Sequence, residues 1–472
     1  MSLINELKRN NVVVNSKGGL YYRSTYNANL DVFSMLSRYD EEEKIINLFK
    51  NALEEDAKLA LANLMYLLDI RGGKGERRLF KIIYKYLCDA DKEFALKIMP
   101  YVGELGRYDY LLEGLHTSIE KETIEQIKNK LNSDINSDVP SLLAKWLPSI
   151  RNHNKTNDTA KYLASCLGYS EKEYRKILSS LRTKLNIVEK NLTNKKYENI
   201  ILSQVPTKAM LKYNNAFNIH MNDQMIMYKA QLKDGNTTIN TKGLFPYEVI
   251  KKSKQGVDEV ILDEMWKNQT DLFEGNDKNI LVIADTSGSM TCLDSLPLYN
   301  SLGLAIYCAE RNHGAFNNYF ISFSDEPQLE EIKGKTIRDK IRNIRSYIGT
   351  TNINKVFRLI LEIAVEAELS QTDLPEDIII ISDMEFDDAC SGKPNFQVWQ
   401  QEYNEKGYKL PKIIFWNVAG RINGAPATQY DKNMIMVSGF STNILKGILN
   451  NKIPSPVELM VEVLNPYIKL VE

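Results

Sequence analysis

Residues 280–290 read Ile280-Leu-Val-Ile-Ala-Asp285-Thr286-Ser287-Gly288-Ser289-Met290: a short apolar run, an aspartate at its end, then two hydroxyls in a glycine-containing loop. A continuous apolar stretch of this length, rich in β-branched residues, predicts a strand buried on both faces. The acid therefore sits at the carboxyl end of a strand, the edge at which open α/β sheets bind their ligands. A hard cation such as Mg²⁺ takes oxygen ligands and keeps several waters, so one carboxylate and two serine hydroxyls from a single loop suit it. Helix N-capping also places Asp and Ser after strands, and this short motif alone does not separate the two roles.

From this strand onward, short apolar runs alternate with amphipathic stretches. They predict strands at 280–284, 318–323, 378–381, 413–418 and 434–437, with helices near 296–311, 353–369 and 442–449. Residues 328–332 follow Phe323-Ser324-Asp325-Glu326-Pro327 closely enough to pair as an antiparallel edge strand. Two later segments fall in the order expected if they reach the same rim as Asp285. Gly349-Thr350-Thr351-Asn352 precedes a helix, and Ile378-Ile-Ile-Ile-Ser-Asp383 ends a second buried strand in an acid. Helix capping explains neither their order nor their strand context.

Upstream, from about Asp31 to Leu232, the apolar residues recur at helical spacing, as in Leu59, Leu61, Leu64, Met65, Leu67 and Leu68. Gly- and Pro-containing breaks divide this part into helices of ordinary length, and Ser170 with Glu173 predicts a capping box. The fold class expected is multidomain. Residues 1–265 form an all-α part of helical-repeat type, with a linker at about 233–256, and residues 276–472 form a doubly wound α/β domain. The C-terminal residues around Leu464 to Tyr467 are apolar enough to dock on the body.

Composition narrows the functional classes. No signal-like or membrane-length apolar run opens the chain, and the five cysteines are odd in number and lack any C-x-x-C pair, which predicts reduced thiols and a cytoplasmic protein. The four histidines are scattered, so neither a histidine-based metal cluster nor a Cys–His couple is readable. A net charge of −1 conceals polarity: Lys145 to Lys212 holds 14 Lys and Arg against 5 Asp and Glu, a local balance of +9. Glu362 to Asp388 holds 10 acids and no Lys or Arg. A basic helical segment is either a solvated face or a surface for phosphates. As phosphate contacts the sequence offers Arg151, Lys155, Arg175, Lys176, Arg182 and Lys184. The tyrosines Tyr162, Tyr169, Tyr174 and Tyr213 read as packing residues rather than base-stacking ones.

Phosphotransferase readings fare worse. A haloacid-dehalogenase site wants a second aspartate where Ser287 stands. Gly72-Gly73-Lys74-Gly75 lacks P-loop spacing and a preceding strand, and reads as a basic inter-helix turn.

The D-x-S-x-S loop, the threonine loop and the later aspartate together resemble the metal-ion-dependent adhesion site of von Willebrand factor A domains. Carried over by position, that resemblance implies a site for Mg²⁺ or another divalent cation such as Mn²⁺, with ligands Asp285, Ser287, Ser289, Thr351 (rather than Thr350) and Asp383. Glu385, Asp387 and Asp388 are read as an acidic rim. The N-terminal text Leu68-Asp-Ile-Arg71-Gly-Gly-Lys-Gly-Glu-Arg77, Arg107-Tyr-Asp109, Leu142-Leu-Ala-Lys-Trp146-Leu-Pro148 and Val205-Pro-Thr-Lys-Ala-Met210, taken with the metal motif, resembles an uncharacterised two-part family related to the Ro autoantigen (TROVE-module) ribonucleoproteins. The resemblance implies helical repeats closed by the A domain and RNA, small noncoding or misfolded, on the basic helices. No enzymatic activity is expected. The alternative is a metal-dependent protein-interaction scaffold whose partner supplies a carboxylate to the cation, and a metal-dependent hydrolase stands third.

Overall fold

A computed structural model describes residues 11–14, 18–150, 156–323, 326–344, 352–386, 395–420, 424–449 and 455–472. The chain divides into two compact units: Met1–Asn63 with Thr241–Leu470 and Glu472, and Leu64–Asn240 with Val471.

The first unit is built on a six-stranded sheet of β3 (Ile280–Asp285), β4 (Tyr319–Phe323), β5 (Gln328–Glu331), β6 (Asp377–Ser382), β7 (Lys412–Asn417) and β8 (Met434–Ser438). Its order is β5-β4-β3-β6-β7-β8, parallel except for β5, which runs antiparallel to β4. Every residue of β3 and β6 is buried, which requires cover on both sheet faces and explains why these strands read as unbroken apolar runs. From central β3 the chain first builds outward through β4 and β5, then returns to build β6, β7 and β8 on the other side. This reversal opens a crevice at the carboxyl ends of β3 and β6. In register Ala284 pairs with Ile381, so Asp285 lies level with Ser382 and Asp383 projects one residue beyond.

Helix Cys292–Arg311 packs on β3, and Gly303 lets helix Pro246–Lys254 cross it closely: a Cβ there would lie 2.9 Å from the Tyr247 amide nitrogen. Helices Ile353–Glu366 and Asn395–Glu405 are joined by the stacked rings of Phe357 and Trp399, 3.8 Å between centroids, with the Trp399 indole donating to Asn354. The C-terminal helix Pro456–Val471 packs Leu459 against Gly447 of helix Leu445–Leu449.

The first 63 residues group with the sheet, and the division from the helical unit falls inside helix Ala57–Leu68. A hairpin of β1 (Val12–Val14) and β2 (Leu20–Tyr22) introduces short strands into a part expected to be all helix. Tyr22 and Ala425 exchange backbone hydrogen bonds of 2.9 and 2.7 Å, and Ser438 at the end of β8 donates to the carbonyls of Phe33 and Leu36. Helices Pro246–Lys254 and Glu259–Lys267 likewise belong with the sheet. The units are therefore cut near 63 and 240, where the sequence placed its divisions at 265 and 276 with a linker at 233–256. The cause is long-range packing, which local periodicity does not register.

Among its described residues the second unit holds helices and no strand, from the end of helix Ala57–Leu68 to helix Asn222–Lys233. The Arg71–Arg77 inter-helix turn is braced from within by Gly73, Lys74 and Glu76, which are buried, while Arg71, Gly72 and Arg77 are exposed. The Lys74 and Glu76 amides donate to Tyr66 and Leu67, a Cβ on Gly73 would stand 2.2 Å from the Tyr66 carbonyl oxygen, and Lys74 itself is 2% exposed. Arg107 forks onto Asp109 at 2.9 and 2.7 Å while lying 3.6 Å above the Trp146 ring, so two of the quoted motifs meet. Among the described residues no helix is long and apolar enough to cross a membrane.

Replacing Gly303 by valine should force the two crossing helices apart and cost about 2–3 kcal/mol. The measurement is the urea midpoint of the variant against the wild type.

Candidate metal centre and basic helical face

Asp285, the last residue of β3, is completely buried. Its Oδ1 accepts the Ser287 amide at 2.9 Å and its Oδ2 accepts the Ser382 hydroxyl at 2.5 Å. The loop turns tightly after it, because the Thr286 amide is tied to the Phe323 carbonyl at the end of β4 and Met290 is buried beneath. The Ser287 and Ser289 hydroxyls are thereby brought to 3.0 Å of each other, with Ser289 on the more open side.

Asp383 follows β6 and is also completely buried. The left-handed backbone at Met384, φ 67°, reverses the chain immediately after it. The Met384 amide then reaches Ser382 Oγ at 3.0 Å and the Glu385 amide reaches Asp383 Oδ1 at 3.1 Å. Asp383 Oδ2 is buried without a hydrogen-bond partner. Burial, and then the neighbouring Asp383 charge, raise the Asp285 carboxyl to about 7, against the lowering effect of its bonds from Ser287 and Ser382.

The donor set fits a small divalent cation: two convergent carboxylates that repel each other when both are charged, one bearing an unused oxygen, and two neutral hydroxyls. Among the described residues no three His, Cys, Asp or Glu side chains form an ion-holding group. A cation here would depend on the serine hydroxyls as well as the acids. Thr351 and its alternative Thr350 lie outside the described residues, as do Asp387 and Asp388. Asn352 caps the helix that follows, accepting from the Lys355 amide. The residue that sequence reasoning missed is Ser382. Its position directly before the strand-terminal acid was the available signal.

On the helical unit the six basic candidates separate. Arg151 and Lys155 lie outside the described residues. Arg175 and Lys176 are exposed on helix Glu171–Lys184, which opens with the expected Ser170–Glu173 capping box. Arg182 donates to the Ala144 and Leu147 carbonyls at 2.7 and 2.8 Å and to the Ser149 hydroxyl at 2.6 Å. Its guanidinium pins the 144–149 segment, and a phosphate would have to displace those bonds. Lys184 donates to the Ser137 and Ile135 carbonyls at the end of helix Glu120–Ile135. Of the tyrosines, Tyr174 is fully buried and donates to the Pro148 carbonyl, and Tyr162 donates to Glu120.

Residues 279–463 match a family described as a domain of unknown function (DUF7788), and residues 115–283 match a second domain of unknown function (DUF2828). The chain is 29% identical over 510 residues to "Uncharacterized protein L728" of Acanthamoeba polyphaga mimivirus, covering 97% of this chain and 88% of that protein. It also aligns with the crystal structure of the Deinococcus radiodurans RO (RSR) protein at 14% identity and a TM-score of 0.49, over 94% of this chain and 99% of that one.

Because the folded state raises the Asp285 carboxyl above its unfolded value of 3.8, the associated stability is complete below that value and is lost as pH rises through about 7. In chelator, this contribution to the thermal stability of the wild type should therefore fade between about pH 4 and pH 7. Asp285→Asn, which keeps the shape of the protonated acid, should flatten that part of the profile, as read by melting temperature against pH. On the helical unit, Arg182→Ala should cost about 2 kcal/mol, because it orphans two carbonyls and a hydroxyl, whereas Lys176→Ala should cost under about 0.5 kcal/mol. Chemical denaturation of the two variants checks the contrast.

Proposed function

We propose that the sheet unit is a von Willebrand factor A-type domain that binds Mg²⁺ or Mn²⁺ through Asp285, Ser287, Ser289 and Asp383, with Thr351 completing the set. On this reading it serves as a cation-dependent docking site rather than an enzyme. The observation that carries the proposal is the convergence of two buried carboxylates at the sheet crevice, with Asp383 Oδ2 left without a partner. When bound, the cation supplies positive charge and an open coordination position. Asp285 and Asp383 offset that charge, while the serine hydroxyls add oxygen ligands without adding negative charge. A partner's carboxylate can then complete the shell, the behaviour of an adhesion site rather than a hydrolytic one.

A second reading concerns the helical unit: it binds RNA in the manner of a Ro-like ribonucleoprotein component. The local balance of +9 and the exposed Arg175 and Lys176 favour it. The carbonyl bonds made by Arg182 and Lys184 reduce the basic surface open to phosphate, which is why the scaffold reading stands first. The compartment proposed for both is the cytoplasm.

Calorimetry should show one Mn²⁺ or Mg²⁺ bound by the wild type and none by Asp285→Ala. Equal binding by the variant removes the cation site. For RNA, reversing Arg175 and Lys176 to glutamate should weaken binding and flatten its salt dependence by about 0.7 per lost phosphate contact in a log–log plot for a single strand. An unchanged slope leaves the scaffold reading alone.

A further inference from the structure

The turn carrying Asp383 is held from a distant part of the chain. Its successive amides are satisfied in order: Met384 N–H by Ser382 Oγ, Glu385 N–H by Asp383 Oδ1, and Phe386 N–H by the phenolic oxygen of Tyr21 at 2.9 Å, across 365 residues. The first two bonds are local and move with the turn. The third ties it to an independent support.

Tyr21 is 3% exposed and sits in β2, whose next residue is locked to Ala425 by paired backbone bonds. Gly424 makes that approach possible, since a Cβ there would lie 2.7 Å from the Tyr22 carbonyl oxygen and 3.2 Å from Tyr21 Cβ. On the other side of the bond the Phe386 ring is buried between Phe323 and Phe415, with centroids 6.4 Å from each. The Tyr21 hydroxyl therefore meets an amide whose own side chain is wedged against the sheet.

We infer that Tyr21 is a positioning residue for the cation site: its hydroxyl fixes the end of the 383–386 turn and so aims the unpartnered Asp383 Oδ2 toward Asp285. The inference rests on the cation reading of that site given above. It gives the Tyr21 hydroxyl a supporting role at the site without placing any of its atoms on the ion. Backbone supports of this kind act by restricting a ligand's orientation, and losing one weakens binding without abolishing it.

The test is Tyr21→Phe in the full-length protein, which keeps the ring and removes only the hydroxyl. Tyr22→Phe serves as the control, because the Tyr22 hydroxyl accepts from Gln397 rather than from the turn. Mn²⁺ affinity is measured by calorimetry, and hydrogen exchange across 383–386 is followed in chelator. Tyr21→Phe should bind Mn²⁺ about three- to tenfold more weakly and exchange faster across the turn, with Tyr22→Phe at wild-type values in both. Wild-type affinity in Tyr21→Phe, where Asp383→Ala has lost binding, overturns the role of Tyr21 and leaves the cation site standing. A wild type that binds no Mn²⁺ overturns the cation reading and this role with it.

Discussion

Two carboxylates, Asp285 and Asp383, are buried together at the carboxyl ends of adjacent parallel strands, and the surroundings of the crevice are arranged around that unfavourable pairing. A buried charge is costly unless it is paired or hydrogen-bonded, and a like charge beside it adds to the cost. The response is asymmetric. Asp285 receives bonds on both oxygens and is driven toward its protonated form, while Asp383 is satisfied on one oxygen only. Ser382 links the two sides by donating to Asp285 and accepting from the turn that follows Asp383. Such an arrangement is poorly stabilised by itself when charged and gains from a cation, which is the physical basis for proposing one.

The sheet was legible because its signal is local. Strands buried on both faces write themselves as apolar runs, so β3, β4, β6, β7 and β8 fall within a residue or two of where the runs predict them. The short loop after β4 gave the antiparallel β5. Asp285 and Asp383 were readable as a pair because each closes such a run. Ser382 carried only the weaker signal of preceding the acid, because a serine ending a strand shows its role only once β3 is placed beside it and its hydroxyl meets Asp285.

Other features depend on contacts that no local pattern encodes. Arg182 reads as one more cation in a basic segment, yet its guanidinium is fixed by where the 144–149 carbonyls end up. The hairpin strands β1 and β2 are three residues each, too short for an alternation to show, and the backbone pairing that anchors them, Tyr22 with Ala425, spans about 400 residues. Residues 233–256 read as a linker because Gly243 and Pro246 interrupt their periodicity, yet helix Pro246–Lys254 forms there and packs across helix Cys292–Arg311.

That discontinuity has a consequence for how the chain is made. The sheet unit draws on residues at both ends of the sequence, with the whole helical unit lying between them. During synthesis the helical residues emerge complete and rich in local contacts, so they can acquire structure while the ribosome is still at work. The N-terminal hairpin has no such option. Tyr22 must wait for Ala425, and the carbonyls of Phe33 and Leu36 must wait for Ser438, before their bonds can form. Apolar surface around Tyr21 and Phe33 is thus left uncovered through most of translation. Closure of the sheet unit therefore joins segments as far apart as Phe33 and Ser438, a non-local step whose loop-closure cost is met after the local helical contacts have formed.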